Sequence, residues 1–226
     1  MTDSFVLVAG ASRGVGREIV NYLVNDNRRV KALFRSHENQ SELEALGIEV
    51  SLIDTLNFDN LKNTIMADNY QISAIISTVG GLPKDGERSD FLGNKNLIDL
   101  AVLKGIQHFI LISSIGSGNS SLALPLQVLE VLGPVLKEKE MAERHLSQSG
   151  LNYTIIRPGG LKSEPKTQRG ILTENNLISG TINRADVAEL TYQCLFNVAA
   201  YGKTFSAVDR DMMNPILDNR EFFNFK

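Results

Sequence analysis

Two adjacent hydroxyls, Ser113 and Ser114, and one lysine, Lys139, are the side chains here best suited to work on a polarised carbonyl or related acceptor. Ser114 is the candidate to donate to the substrate oxygen, Ser113 beside it is expected against the cofactor, and Lys139 can hold the hydroxyls of a ribose and lower the pKa of a neighbour. Lys139 also belongs to the charge run Lys137-Glu138-Lys139-Glu140, which would equally suit a solvated helix face. A second group has the chemistry of an anion site. Gly10, Gly14 and Gly16, with Ser12, Arg13 and Val15 among them, follow the apolar run from Phe5 and precede the helical pattern Arg17 to Val24. Glycines there let the chain turn sharply and let backbone N–H groups approach a phosphate, which the positive end of a helix also attracts.

Arg35 adds specificity. It closes the next apolar run, where a carboxylate would accept from a ribose 2′-hydroxyl; an arginine there pairs instead with a 2′-phosphate. Arg13 and Ser36 can reach the same phosphate, and the sequence shows no competing carboxylate at that strand end, so the expected cofactor is NADP(H). Asp54 can accept from an adenine amino group or can simply precede the next helix as a cap. Thr55 shares that strand end. Thr78, Val79 and Gly80 offer a shelf of small residues for the ribose and pyrophosphate region.

These groups become a site only if the elements carrying them converge. Apolar runs at Phe5, Arg29–Phe34, Ile48–Ile53, Ile72–Thr78, His108–Ser113, Tyr153–Arg157 and Lys203–Val208 read as buried strands, separated by helical patterns. The helices include Ser89–Lys104, one beginning near Pro134 and running to about Gln148, and Asp186–Val198. Alternation at this spacing predicts an α/β fold of the Rossmann type: one domain over 1–226, with a doubly wound parallel sheet and a small lid on the substrate side. Ligands of such sheets lie beyond the carboxyl ends of the strands, where all these candidates fall, as does Pro158-Gly159-Gly160-Leu161.

Two segments break the rhythm. Residues 116–133 carry an apolar patch from Leu122 to Leu132, expected either in the core or above the reacting end of the cofactor. Residues 160–184 are polar and long for a connection, and are expected to form a lid or a docking surface, with Lys162, Lys166 and Arg169 favouring an anion.

The net charge of −3 and the absence of a basic run argue against a nucleic-acid partner. No apolar run approaches the roughly 20 residues that span a bilayer. Cys194 is the single cysteine, and the first strand starts within a few residues of Met1; both point to a cytoplasmic or other reducing compartment. His37, His108 and His145 are scattered through the chain, so no metal site is expected. The charged surface of Lys137–Gln148 suggests a monomer.

The Gly10–Gly16 turn, the His108–Ser114 strand, the Lys139–Glu143 segment, the string Tyr153-Thr154-Ile155-Ile156-Arg157-Pro158-Gly159-Gly160-Leu161, and Asn183-Arg184-Ala185-Asp186-Val187-Ala188 resemble the atypical short-chain dehydrogenase/reductases. The nearest groups are the NmrA-like and the biliverdin-IXβ and flavin reductase-like NAD(P)-binding proteins. The resemblance implies NADP(H), with the nicotinamide near Pro158 to Leu161. It departs at one position: reductases of the wider superfamily place a proton-donating tyrosine four residues before the lysine, and here that residue is Val135. Members similar to biliverdin-IXβ reductase transfer hydride without it, to flavins, tetrapyrroles or quinones. Others bind the dinucleotide without chemistry. The expected function is therefore NADPH-dependent reduction of an apolar conjugated acceptor, the alternative being an NADP-binding redox sensor or scaffold with a protein partner.

Overall fold

β1 (Phe5–Ala9) is buried at every position because both of its faces are covered. Val6 and Val8 enter one apolar cluster, Leu7 and Ala9 the other, the period-two alternation that any strand imposes. The computed structural model describes residues 4–67, 71–81 and 87–225.

From β1 the chain runs through α1 (Gly14–Asn25), β2 (Val30–Phe34), α2 (Gln40–Ala45), β3 (Glu49–Leu52), α3 (Phe58–Ala67), β4 (Ile72–Ser77), α4 (Leu92–Lys104) and β5 (His108–Ile112). After a 3₁₀ turn at Gly118–Ala123 come α5 (Leu126–Ser147), β6 (Asn152–Pro158), β7 (Gly160–Lys162), β8 (Gly170–Thr173), β9 (Ser179–Asn183), α6 (Arg184–Leu195), β10 (Lys203–Asp209) and β11 (Met213–Asn214). The main sheet has the order β3-β2-β1-β4-β5-β6-β10-β8, parallel except for β8, which runs antiparallel to β10. Residues of α1, α2 and α6 cover one face, and residues of α3, α4 and α5 the other. The chain reverses direction across the sheet between β1 and β4, which opens a crevice beyond their carboxyl ends.

Three expectations need correction. The segment 160–184 is largely built into the fold rather than free to act as a lid. β7 pairs with β9 in a small three-stranded sheet with β11, and β8 extends the main sheet, burying Ile171, Leu172 and Thr173. Of the three cations expected to favour an anion, Lys166 pairs with Glu189 and Arg169 with Asp209 and Asp211. Strands of three to five residues are too short to show a period in a polar context.

Second, α5 begins at Leu126, so Pro134 lies inside it rather than at its start. Proline there cannot donate to the carbonyl of Glu130. Glu130, Val131 and Leu132 are exposed, so water can take that place.

Third, the patch from Leu122 to Leu132 lines no part of the site cavity and joins the core only in part. Leu122 is 83% exposed and Leu126 74%, while Leu124 packs against a small cluster of Ile115, Ile171, Ile178 and Val208.

Beyond β8, the backbone N–H of Phe223 donates to the carbonyl of Leu172 at 2.7 Å, and the Phe223 ring rests on Phe205 with centroids 4.7 Å apart. Among the described residues, no helix is long and apolar enough to cross a membrane.

Candidate functional site

The cradle begins with Gly10, whose φ of +83° favours glycine, and with Gly16, which sits directly under it. A Cβ at Gly16 would lie 2.3 Å from the Gly10 carbonyl oxygen and 2.6 Å from Thr78 Oγ1. Gly16 thus closes the turn from beneath and does not itself face the crevice. Thr78 ties the ends of β1 and β4 together, its hydroxyl lying within reach of the carbonyls of Ala9 (3.0 Å) and Gly10 (3.2 Å). Among the described residues, no side chain caps the start of α1, and its first turn holds no acidic residue. The first N–H groups of the helix are therefore left for a ligand.

Above this cradle lies a cavity of about 520 Å³. Its wall takes in Gly10, Ser12, Arg13, Gly14 and Val15 from the turn, Arg35 and Ser36 after β2, and Thr55 after β3. Thr78, Val79 and Gly80 after β4 continue it, and Ser113, Ser114, Lys139 and Leu161 complete the far end. The expected groups that do not line it are Gly16, Asp54, Pro158, Gly159 and Gly160. Asp54 instead makes a turn: its Oδ1 accepts the Leu56 N–H at 3.0 Å, and its carbonyl accepts that of Asn57 at 3.0 Å. Pro158 is buried at the end of β6, where its carbonyl accepts from Ile115. Gly159 is pressed against β9, where a Cβ would lie 2.3 Å from the Gly180 oxygen.

The far end holds the reactive groups. Lys139 Nζ lies 3.0 Å from Oδ1 of Asp90, an ion pair whose alignment falls short of a hydrogen bond. Asp90 is 0% exposed, and its other oxygen accepts the Gly81 N–H at 3.1 Å. A Cβ on Gly80 would sit 2.5 Å from Asp90 Oδ1 and 3.1 Å from Lys139 Nζ, so bare backbone is needed for the pair to fit. The two serines differ. Both line the cavity, but Ser114 Oγ donates to the carbonyl of Ile115 at 2.9 Å, whereas Ser113 Oγ is buried without a partner among the described residues. Ser113 thus keeps an unpaired hydroxyl buried at the wall, whereas Ser114, the expected donor to the substrate, has its hydroxyl paired within its own turn.

Sequence reasoning missed four polar members. Ser89 and Arg184 line the cavity, Asp90 stands behind Lys139, and Glu38 lines the end that holds Arg13 and Arg35. Glu38 corrects the expectation of no competing carboxylate: the left-handed turn at Asn39 brings the chain back after β2. Even so, among the described residues, Arg13, Arg35 and Arg184 make no ion pair with a carboxylate. Three arginines without an anion around one cavity call for an anionic ligand. Val135 stands one turn before Lys139 on α5, and no described tyrosine lines the cavity.

A family model described as NAD(P)H-binding matches residues 10–198. The chain belongs to the NAD(P)H-binding family. Within it, this NAD(P)H-binding protein is of the atypical short-chain dehydrogenase/reductase kind and falls among NAD(P)H-dependent oxidoreductases. ChuY of Escherichia coli O157:H7, described as an anaerobillin reductase, superposes with a TM-score of 0.83 over 95% of this chain and 99% of its own, at 29% identity. YhfK of Bacillus subtilis, named as an uncharacterized sugar epimerase, is 31% identical over 211 residues, covering 91% of this chain and 94% of its own. Sanguinarine reductase of Eschscholzia californica is 37% identical over 116 residues, 48% of this chain and 41% of the reductase.

The residues fit a dinucleotide. The uncapped start of α1 and the glycine cradle suit the pyrophosphate, and the unpartnered Ser113 hydroxyl and the ammonium of Lys139 suit the nicotinamide half. Among the described residues, no group of three His, Cys, Asp or Glu side chains is placed to hold a metal ion.

Proposed function

We propose that the protein is an NADPH-dependent reductase that passes hydride to an apolar conjugated acceptor such as a flavin, quinone or bilin, without a tyrosine as proton donor. The observation that carries this reading is the composition of the cavity's far end: a lysine fixed by a buried aspartate, one free serine hydroxyl and no described tyrosine. When bound, NADPH supplies the hydride. Lys139 holds the ribose hydroxyls, its ammonium aimed by Asp90 from behind. Ser113 donates to a heteroatom of the acceptor, and Val79, Ile112 and Leu161 provide apolar wall against which a flat ring can lie. The reduced acceptor takes its proton from water. Relatives named for reducing anaerobillin and sanguinarine support an acceptor of the conjugated class. Arg13, Arg35 and Ser36 favour a 2′-phosphate, with Glu38 opposing them in part.

The test is NADPH oxidation, followed by the loss of reduced-nicotinamide absorbance, across flavins, quinones and bilins. Saturable turnover with at least one of them is expected. No turnover with any would overturn the reading. It would then leave the alternative, an NADP-binding sensor or scaffold, which the exposed Leu122, Leu126 and Val131 favour as a docking surface. A partner captured equally with and without NADP(H) would rule out the sensor form.

A further inference from the structure

Arg184 opens α6, and two neighbours in the same stretch fasten the segment 165–168 to that helix. Asn183 donates to the carbonyl of Pro165 at 3.0 Å. Asp186, almost fully buried, accepts the backbone N–H of Thr167 (3.0 Å) and of Gln168 (2.8 Å). Of these three residues only Arg184 lines the cavity. Its Nη1 donates to Ser163 Oγ at 2.7 Å and approaches the carbonyl of Leu161 at 3.5 Å. Its Nε lies 3.7 Å from the point where a Cβ would stand on Gly14, the first residue of α1. The guanidinium therefore spans from the chain after β7 to the uncapped helix start. Its Nε–Nη2 edge has no protein partner among the described residues, and that edge is the one that takes an anion through two parallel bonds.

We infer that Arg184 is a pyrophosphate clamp: its free edge binds the dinucleotide's phosphates at the start of α1, while its Nη1 holds Leu161 to Ser163. Binding of a pyrophosphate is thereby coupled to the position of the wall beside the nicotinamide. The inference rests on the cavity being the dinucleotide site and is independent of which acceptor is reduced. An arginine suits this task where a lysine does not, since one planar group must serve two partners at fixed angles. The clamp also makes the pyrophosphate, rather than the adenosine end, the part of the cofactor that orders the substrate side.

The experiment compares three ligands on the whole protein by calorimetry: NADPH, ADP-ribose, and adenosine 2′-monophosphate, which carries the 2′-phosphate and no phosphate on the 5′-oxygen. Arg184→Gln is expected to weaken NADPH and ADP-ribose by about tenfold and the monophosphate by less than about twofold. Hydrogen exchange supplies the second readout. In the wild type, NADPH and ADP-ribose protect the amides of residues 161–164 and the monophosphate does not. Ser163→Ala, which leaves the charge in place, keeps NADPH affinity within about threefold but loses that protection. Equal weakening of all three ligands by Arg184→Gln, or no weakening of any, would overturn the clamp. So would protection of 161–164 by the monophosphate. Wild-type protein that shows the expected binding pattern yet reduces no acceptor would end the reductase reading and leave the clamp standing.

Discussion

Removing Lys139 should damage the fold more than removing its partner, although the lysine is the residue that faces the ligand. The asymmetry follows from exposure. The Asp90 side chain is 0% exposed and that of Lys139 17%, so an orphaned lysine can turn to water and an orphaned aspartate cannot. At 3.0 Å, and with an effective dielectric constant of about 20, the attraction between the charges is about 5 kcal/mol before desolvation. Lys139→Met leaves the buried carboxylate with the Gly81 N–H alone, and a loss of about 3 kcal/mol is expected. Asp90→Asn keeps an acceptor for Gly81 and frees an ammonium that can hydrate, so a loss of about 1 kcal/mol is expected. The double variant should be close to Asp90→Asn, giving a coupling of about 3 kcal/mol. Urea unfolding of the four proteins without ligand measures this, with unchanged m-values as the check on comparability. The reasoning is refuted if Lys139→Met costs less than Asp90→Asn, or if the two losses simply add. The same result bears on kinetics. Lost activity in Lys139→Met mixes a missing ribose contact with an uncovered buried charge, so the fair comparison for turnover is made in the Asp90→Asn background.

Three further outcomes are expected. Arg35→Ala should weaken NADPH by about tenfold or more and NADH by less than about twofold, as measured by fluorescence titration, because only NADPH carries a 2′-phosphate; equal losses would refute the assignment. Ser113→Ala should lower kcat for the preferred acceptor by about tenfold and Ser114→Ala by much less, since the Ser114 hydroxyl is spent on Ile115; the reverse order would return the role to Ser114. Burial pushes the His108 pKa down to about 4, against about 6.5 when unfolded, so the unfolded state takes up the proton first as pH falls. Stability is then full above pH 7 and falls by about 2 kcal/mol between pH 7 and 5, before the carboxylates titrate. Denaturant midpoints across that window should flatten in His108→Phe, and an unchanged slope would show that His108 is not the cause.

The part of the molecule that was legible in the sequence is the part made of long uniform runs. β1 and β5 are buried at every position and read as unbroken apolar stretches, while β2, β4 and β6 keep apolar centres broken by Lys31, Ser73 and Thr154; the turns after β1, β2, β4 and β5 line the cavity. The glycine turn, Arg35, Thr78 and Lys139 followed from that placement. Asp90 did not, because nothing along the chain links a carboxylate before α4 to a lysine on α5; only their packing against Gly80 does. Arg184 belonged to a recognised motif but had no visible task until Gly14 and Ser163 were found on either side of it. Asp54 shows the opposite failure. The right strand end was found, but a local turn had already used the carboxylate, and Thr55 holds the place in the wall. Leu122 and Leu126 read as core because apolarity alone carries no direction at the start of a helix.

The two ends of the main sheet face different hazards. β3 presents a short border with the polar Glu49 and Ser51 along it, a poor template for a stranger's strand. β8 is Gly-Ile-Leu-Thr, an apolar tetrad with no charge to turn a neighbour away, and its border is occupied by the chain's own Phe223. The residues around Phe223 thus act as a stopper against self-association. A copy cut short before Phe222 would offer β8 to the β8 of another copy, and a protein built to hold a cofactor would acquire a route to a closed pair of copies, one sheet running on into the next at the end farthest from β3.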